Sequence, residues 1–310
     1  MRVAVTGSRG FVGRHVVEEM TGAGHSVWEL SGPGEGEGVD VRDATGLNGL
    51  FRDFRPEAVI HLAALSSVRD SWDTPGQTAD VNVVGTINVW QAAKGAGAER
   101  FIFVSSGEVY GFGDAVHTED ERPEPRSPYA VSKYAAELFL SEMGADDAMA
   151  TVILRPFSHI GPGQSPHFAI PSFARQLWTM KMDGKPCVRA GNVNVSRDFL
   201  DVRDVARAYR RAVETPELRG TFNICSGVNR TLRRVIADMA ALLDLPMPLA
   251  IVSEDQRRRK TDVPVMRGSA EKFRTATGWK PLIAWPETLS AVLRDASPKT
   301  AAHVERSLGL

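Results

Sequence analysis

Gly7-Ser8-Arg9-Gly10-Phe11-Val12-Gly13 decides the fold. It follows the apolar run Val3–Thr6 and opens directly into an amphipathic segment from Phe11 to Thr21. In a strand–turn–helix setting each glycine has a task. Gly7 permits the tight turn, Gly10 lets the backbone approach a pyrophosphate, and Gly13 lets the helix press on the sheet. Free N–H groups and the positive end of the helix dipole then face the anion, with Phe11 and Val12 in the first turn beside it. Glycines in an ordinary turn are the plain alternative; the flanking strand and helix favour a dinucleotide.

Outward from this turn, the first 155 residues repeat one alternation. Apolar runs at Val3–Thr6, Val27–Leu30, Ala58–Leu62, Phe101–Ser105 and Thr151–Leu154 read as strands. Between them lie helix-like segments at Phe11–Thr21, Ala44–Phe54, Thr78–Ala96 and Pro128–Met143. Unbroken apolar strands between helices predict a parallel sheet covered on both faces. Right-handed crossovers make it doubly wound, an α/β Rossmann architecture. Beyond Pro156 the pattern loosens. Ser158–Pro171, rich in Gly, Pro and His, reads as an ordered loop, and a short strand is expected near Cys187–Ala190. Helices are predicted at Phe173–Met182, Asp204–Glu214, Leu232–Leu243, Ala270–Thr275 and Pro286–Asp295. Residues 1–157 plus about 202–227 should form the dinucleotide-binding domain, and about 158–201 with 228–310 a smaller interleaved substrate lobe.

Composition narrows the function. The 310 residues carry 37 Lys+Arg against 38 Asp+Glu, a net charge of −1 that gives no pull towards nucleic acid or an anionic membrane. A hydrophobic share of 43% supports a full core and excludes a disordered chain. Two cysteines, Cys187 and Cys225, exclude a disulfide framework and a Cys-rich zinc site, and read as reduced thiols. Seven histidines with no HxxxH pair offer no metal-site pattern. MRVAVTG lacks the long apolar stretch of a signal peptide, and no apolar run approaches the ~20 residues needed to span a bilayer. A cytoplasmic protein is expected, its partners neither nucleic acid nor membrane.

The second strand ends Glu29-Leu30-Ser31-Gly32, so Ser31 stands where an acid would hold the ribose 2′-hydroxyl of NAD. Arg9 can offer a guanidinium fork to a 2′-phosphate, unless it faces solvent or Glu29 takes the acid's place. NADPH is therefore favoured over NADH. Asp40, followed by Val41, is placed to accept from the adenine amino group, or else simply starts a turn.

Tyr129 and Lys133 stand four apart, and Pro128 after Ser127 predicts a helix start, which puts both on one helix face. An ammonium beside a phenol favours phenolate, lowering a pKa that begins near ~10. Such a tyrosine exchanges a proton with a carbinol oxygen while hydride moves to or from a nicotinamide. The same spacing also occurs on ordinary solvated helices. Ser106 adds weight, because it ends the fourth strand, and strand carboxyl ends in open α/β sheets face the ligand crevice. There it can share a carbonyl oxygen with Tyr129, or merely cap a turn.

These pieces resemble the extended short-chain dehydrogenase/reductases that act on nucleotide-activated sugars, over essentially the whole chain. Further matching pieces are His61-Leu62-Ala63-Ala64, Asn82 in VNVVGT, and Ser105–Gly111. RPFSHIGPGQ (155–164), RDFLDVRDV (197–205), FNICSG (222–227) and GWKP (278–281) look most like the family's GDP-4-keto-6-deoxymannose reductases. The resemblance implies cofactor contacts at Leu62, Ala63, Ala64, Asn82 and Pro156, beside Tyr129 and Lys133. It implies NAD(P)H-dependent reduction of the 4-keto group of a nucleotide-linked 6-deoxyhexose, GDP-linked first and dTDP-linked second, by a homodimer. A nucleotide-sugar epimerase, a 4,6-dehydratase and a cofactor-binding regulator without turnover are the rivals.

Relatives with dehydratase activity generally carry Thr-Asp-Glu or Thr-Ser-Glu at the fourth strand. This chain has Ser106-Gly107-Glu108, and glycine has no side chain to donate a proton, which argues against dehydration. Glu108 is either a proton-transfer group or a structural carboxylate. Arg197 and Arg259 match positions where the family places phosphate- or nucleotide-contacting arginines, and Ser158 replaces the Asn of many relatives. His159, Gln164 and Asn192 are candidate polar contacts to substrate, with loop packing open for each.

Overall fold

The apolar runs form the interior of a parallel sheet. The computed structural model describes residues 1–33, 38–113, 115–145, 148–184, 187–254 and 263–298. Its first half alternates β1 (Arg2–Thr6), α1 (Phe11–Gly22), β2 (Ser26–Leu30), α2 (Ala44–Phe54), β3 (Ala58–His61), α3 (Pro75–Ala79), α4 (Gly85–Gly95), β4 (Arg100–Val104), α5 (Pro128–Gly144) and β5 (Ala150–Pro156). The second half runs β6 (Ser158–Ile160), α6 (Ala169–Asp183), β7 (Cys187–Ala190), β8 (Ser196–Asp201), α7 (Val202–Glu214) and β9 (Gly220–Ile224). It continues with β10 (Asn229–Thr231), α8 (Leu232–Leu242), β11 (Ala250–Ser253), β12 (Val265–Met266), α9 (Glu271–Thr277) and α10 (Trp285–Asp295).

Six strands pair in parallel in the order β2-β1-β3-β4-β5-β9. The chain moves from β1 out to β2, then returns to the other side of β1 at β3. That reversal opens a crevice at the strand carboxyl ends, where open α/β sheets bind ligands. Side chains alternate between the two faces. Val3, Val5, Ile60 and Ile102 pack with Val16 of α1 and Val205 and Tyr209 of α7. Ala4, Val59, Phe101 and Phe103 pack with Phe51, Trp90 and Leu140 of α2, α4 and α5. A separate cluster joins Phe173, Leu177, Val188, Phe199, Ile236 and Val292, and forms the second lobe. Met266, Phe273 and Trp279 pack into the core beneath the sheet, although the sequence groups them with the second lobe.

Strands β8 to β12 are not marked in the sequence, and two further stretches differ from expectation. The single helix expected over Thr78–Ala96 is α3, a π-helical turn at Asp80–Val84 and α4. The wider turn carries Asn82, whose buried amide is bonded to Leu65 and Ser132, a use typical of π-bulges near functional sites. The loop expected over Ser158–Pro171 contains β6, in parallel register with Phe199–Asp201 of β8. Helix α6 then starts at Ala169 and runs through Pro171. A proline in the first turn costs no helical hydrogen bond.

Arg100 fastens the lobe's far end. Buried, it donates to the carbonyls of Ala212 at 3.0 Å, Leu218 at 3.2 Å and Pro216, holding the end of α7 against β4. Arg100→Met strips three carbonyls of a charged donor and should cost about 2–3 kcal/mol. Urea unfolding should show a lower midpoint at unchanged slope. An unmoved midpoint would show that water serves those carbonyls equally well.

Candidate functional site

The glycine turn is shaped by backbone meeting backbone. Gly7 sits at φ +70°, its N–H donates to Leu30 O at 2.8 Å, and Gly10 N–H donates to Gly7 O at 3.0 Å. A Cβ on Gly7 would lie 2.9 Å from Ala63 N, and one on Gly13 would lie 2.2 Å from Gly7 O and 2.6 Å from Ser8 O. No side chain fits at either position. Helix α1 begins at Gly10 with no side-chain cap and no acid in its first turn, so its N–H groups face outward unclaimed by side chains. Ser8 Oγ is buried with no partner among the described residues. These features fit a dinucleotide phosphate.

Beside the turn lies a cavity of about 400 Å³ that collects the predicted Gly7, Ser31, Asp40, Val41, Ala63 and Ala64. Its size suits an adenosine. Asp40 is already engaged: Arg42 donates to it from its backbone N–H at 2.9 Å and from its guanidinium at 2.5 to 3.1 Å. Those hydrogen bonds hold the Asp40 carboxyl below the usual range. Arg42, which is not among the sequence candidates, also lines the cavity, with its guanidinium on Asp40. Arg9 is exposed and lies outside the cavity, its carbonyl accepting from Arg14 Nε at 2.9 Å. An Arg directly after Asp-Val was the available signal.

The proton-handling groups meet at the end of β4. Ser127 caps α5, accepting from Ala130 N–H at 3.1 Å, and Pro128 opens its first turn. Tyr129 and Lys133 therefore point inward and are buried. Ser106 Oγ accepts from Glu108 N–H at 3.1 Å, and its side chain is hydrogen-bonded to the Tyr129 hydroxyl. Burial pushes the phenol up to about 12; the Ser106 bond opposes this and the half-buried Glu108 adds to it. Burial holds Lys133 down to about 7 against the pull of Glu137, with the ammonium 4.8 Å from the Phe103 ring centroid. The sequence predicts a phenol lowered by its lysine. In the folded chain lost solvation dominates, opposed only by the Ser106 hydrogen bond, and Tyr129 stands as a protonated donor.

Behind these groups runs a buried chain of hydrogen bonds. Thr6 Oγ1 meets His61 Nδ1 at 2.7 Å, and His61 Nε2 meets Thr86 Oγ1 at 3.0 Å. Thr86 Oγ1 donates to Asn82 O at 2.7 Å, Asn82 Nδ2 to Ser132 Oγ at 2.9 Å, and Ser132 Oγ to Tyr129 O at 2.7 Å. Burial holds His61 down to about 3, with Lys133 adding to the effect, so its imidazole is neutral. Asn82 Oδ1 accepts from Leu65 N–H at 2.8 Å, so the amide braces the loop after β3 against α5. Leu62 and Ala63 each donate their N–H to Thr6 Oγ1 at 3.2 Å. Val12 packs on the core under the sheet, and Pro156 ends β5 in register with Ile224. Phe11 stacks on His159 with centroids 6.1 Å apart, joining the glycine turn to the second lobe.

Gly107 backs onto Phe157. A Cβ there would lie 3.1 Å from three ring atoms, and a Cβ on Gly268 would lie 2.5 Å from Cζ and 2.6 Å from Cε2 of the same ring. The ring packs against both glycines, so a side chain at 107 would need the ring to give by a few tenths of an ångström. Among the expected substrate contacts, Ser158 is half-buried on β6, and Asn192 Oδ1 accepts from Asn194 N–H at 3.0 Å within a turn. Gln164 donates to His159 O at 3.3 Å, while its Oε1 is buried without a partner among the described residues. Arg197 is buried and donates to Ser196 O at 2.9 Å and Val263 O at 2.7 Å, bracing the second lobe. Arg259 lies outside the described residues.

Comparison with known proteins follows the same outline. The sequence family described as "NAD dependent epimerase/dehydratase family" matches residues 3–225. GDP-6-deoxy-D-mannose reductase of Pseudomonas aeruginosa is 38% identical over 300 residues, covering 95% of this chain and 96% of that protein. The solved structure of RMD from Pseudomonas aeruginosa complexed with NADPH superposes with a TM-score of 0.85 at 37% identity, covering 96% of this chain and 99% of that one. UDP-glucose 4-epimerase from Thermus thermophilus, solved with NAD, has a TM-score of 0.85 at 31% identity, covering 96% and 99% of the two chains.

The two ends of α1 give a paired prediction. Gly13→Ala drives a methyl into the Gly7 and Ser8 carbonyls and should weaken NADPH binding at least tenfold while lowering the melting temperature. At Gly22 nothing lies within 4 Å of a Cβ, so Gly22→Ala should leave binding unchanged and be neutral or stabilising by up to about 1 kcal/mol. Fluorescence titration and thermal melts check both; equal behaviour of the two variants would contradict the cradle.

Proposed function

The chain belongs to the NAD dependent epimerase/dehydratase family, and on that footing we propose that it reduces the 4-keto group of a nucleotide-linked 4-keto-6-deoxyhexose with NADPH. The GDP-linked sugar is the first substrate, on the likeness to the Pseudomonas reductase. One observation carries the reading: a buried, protonated Tyr129 is hydrogen-bonded to Ser106, beside Gly107, which has no side chain to donate. That arrangement offers one proton to a carbonyl oxygen and has no second donor at 107 to expel water.

The glycine turn and the start of α1 hold the cofactor's pyrophosphate, and Ser31 with Arg42 lines the adenosine end. When bound here, NADPH would supply the hydride that carbon 4 receives. Ser106 donates a hydrogen bond to the carbonyl oxygen, which withdraws charge from carbon 4. Tyr129 gives its proton to that oxygen as charge develops there. The Lys133 ammonium offsets the phenolate left behind. Ser31 and Arg42, with Asp40 already paired, support NADPH over NADH. Arg197 and Arg259 are proposed at the nucleotide side of the second lobe.

Sugar epimerisation is a second reading, favoured by the half-buried Glu108 near Tyr129 and by the likeness to the Thermus epimerase. A homodimer in the cytoplasm completes the proposal. Val131, Leu138 and Phe139 of α5 and Val84 beside α4 are about half exposed, an outward apolar face on adjacent helices. No helix among the described residues is long and apolar enough to cross a membrane.

Purified protein given GDP-4-keto-6-deoxymannose should oxidise one NADPH per sugar, followed by nicotinamide absorbance. An epimer formed without net oxidation would favour the second reading. Tyr129→Phe should lower kcat about 10²-fold or more while leaving NADPH affinity within about twofold. Unchanged turnover in that variant removes Tyr129 from the mechanism.

A further inference from the structure

One turn beyond Lys133 on α5, Glu137 is buried at 3% exposure. Arg155 of β5 grips both of its oxygens, Nε at 3.0 and 3.2 Å and Nη2 at 2.6 Å. Ser105 Oγ donates to Glu137 Oε1. Arg155 also lies 4.9 Å from the Tyr110 ring centroid and donates to its hydroxyl at 2.9 Å, and that hydroxyl donates to Asn223 Oδ1 at 2.8 Å. Nothing in the proposed proton delivery uses this pair. A buried ion pair is also a poor stabiliser, because apolar side chains of similar volume often serve as well or better. Its location suggests another use. Ser105 precedes Ser106, and residues four apart on a helix are neighbours.

We propose that Glu137 is a positioning residue of the active site, supplying the buried counter-charge for the Lys133 ammonium and tying the strand end that carries Ser106 to the helix that carries Tyr129. This rests on the reading of Ser106, Tyr129 and Lys133 as the proton-delivering set. The groups around Lys133 support it. From β3 comes His61, which is neutral; from β4, the Phe103 ring and, just beyond the strand, Glu108, whose charge acts on Tyr129. From β5 comes Arg155, bonded to Glu137, and from α5 itself Tyr129 and Glu137. Of the two anions, Glu137 is the one that pulls Lys133 upward against its burial. Losing that charge leaves burial unopposed, so the lysine deprotonates at lower pH.

The test is a titration of Lys133 in protein labelled with ¹³Cε-lysine, its resonance identified by its loss in Lys133→Met. Glu137→Gln keeps the volume and an acceptor for Ser105 but removes the charge. The Lys133 midpoint should fall by about one pH unit. The alkaline limb of NADPH-dependent turnover should move down with it, while the KM for NADPH stays within about twofold. Where Glu137→Gln fails to fold, Glu137→Gln/Arg155→Met also removes the stranded guanidinium and should show a fall in the same direction, smaller because a repelling cation has gone with the anion. An unmoved Lys133 midpoint in the folded variant, with turnover lowered equally at every pH, would overturn the proposal and leave Glu137 a packing residue. A lowered midpoint in a protein that turns over no keto sugar upholds Glu137 and rejects the proposed reaction instead.

Discussion

Helix α1 meets the end of β1 so closely that a single methyl at Gly13 would lie 2.2 Å from the Gly7 carbonyl oxygen. The rest of the site is laid out from that contact. It aims the uncapped start of α1 at the space above the sheet, where an anion meets N–H groups and the positive dipole end. The parallel register does the rest. Thr6 pairs with His61, His61 with Phe103, and Val104 with Leu154, so the carboxyl ends of β1, β3, β4 and β5 finish in one row. The loops that leave this row carry Gly7, Ala63, Ser106 and Phe157.

Along that row burial, more than charge pairing, sets the chemistry. Tyr129 is pushed up to about 12 and His61 held down to about 3, each chiefly by lost solvation. The result is a protonated phenol beside a neutral imidazole, which suits giving a proton to a carbonyl oxygen. Lys133, held down to about 7, is the group whose charge hangs in the balance, and Glu137 is the anion that favours its ammonium. Phe157 acts by volume alone. Packed against Gly107 and Gly268, it crowds the space beside residue 107.

Strands β1, β3, β4 and β5 are legible in the sequence because each is an apolar run buried on both faces, and the edge strand β2 because it sits at the same spacing between helices. The glycine turn and the Tyr129–Lys133 pair are legible for a similar reason, since their meaning depends on spacing within one element. What escapes depends on distant contacts. Strand β6 exists only because β8 lies alongside it, about forty residues on. The π-helical turn follows from where Asn82 finds partners, and apolar periodicity cannot announce it. Arg9 is the more obvious cation by motif, yet Arg42 is the arginine that lines the cavity, which only the path of the folded loop shows. Phe157 and Glu137 stand in plain view in the sequence, but only the fold shows what each one touches.

The central claim is that the site delivers one hydride and one proton to a sugar carbonyl. The most direct measurement uses NADPH deuterated at its transferable position, GDP-4-keto-6-deoxymannose, and NMR of the product. Deuterium at carbon 4 of a GDP-6-deoxyhexose, at one atom per NADPH consumed, is the predicted result. A product without deuterium at carbon 4, or a sugar changed elsewhere on the ring with NADPH unconsumed, would contradict it.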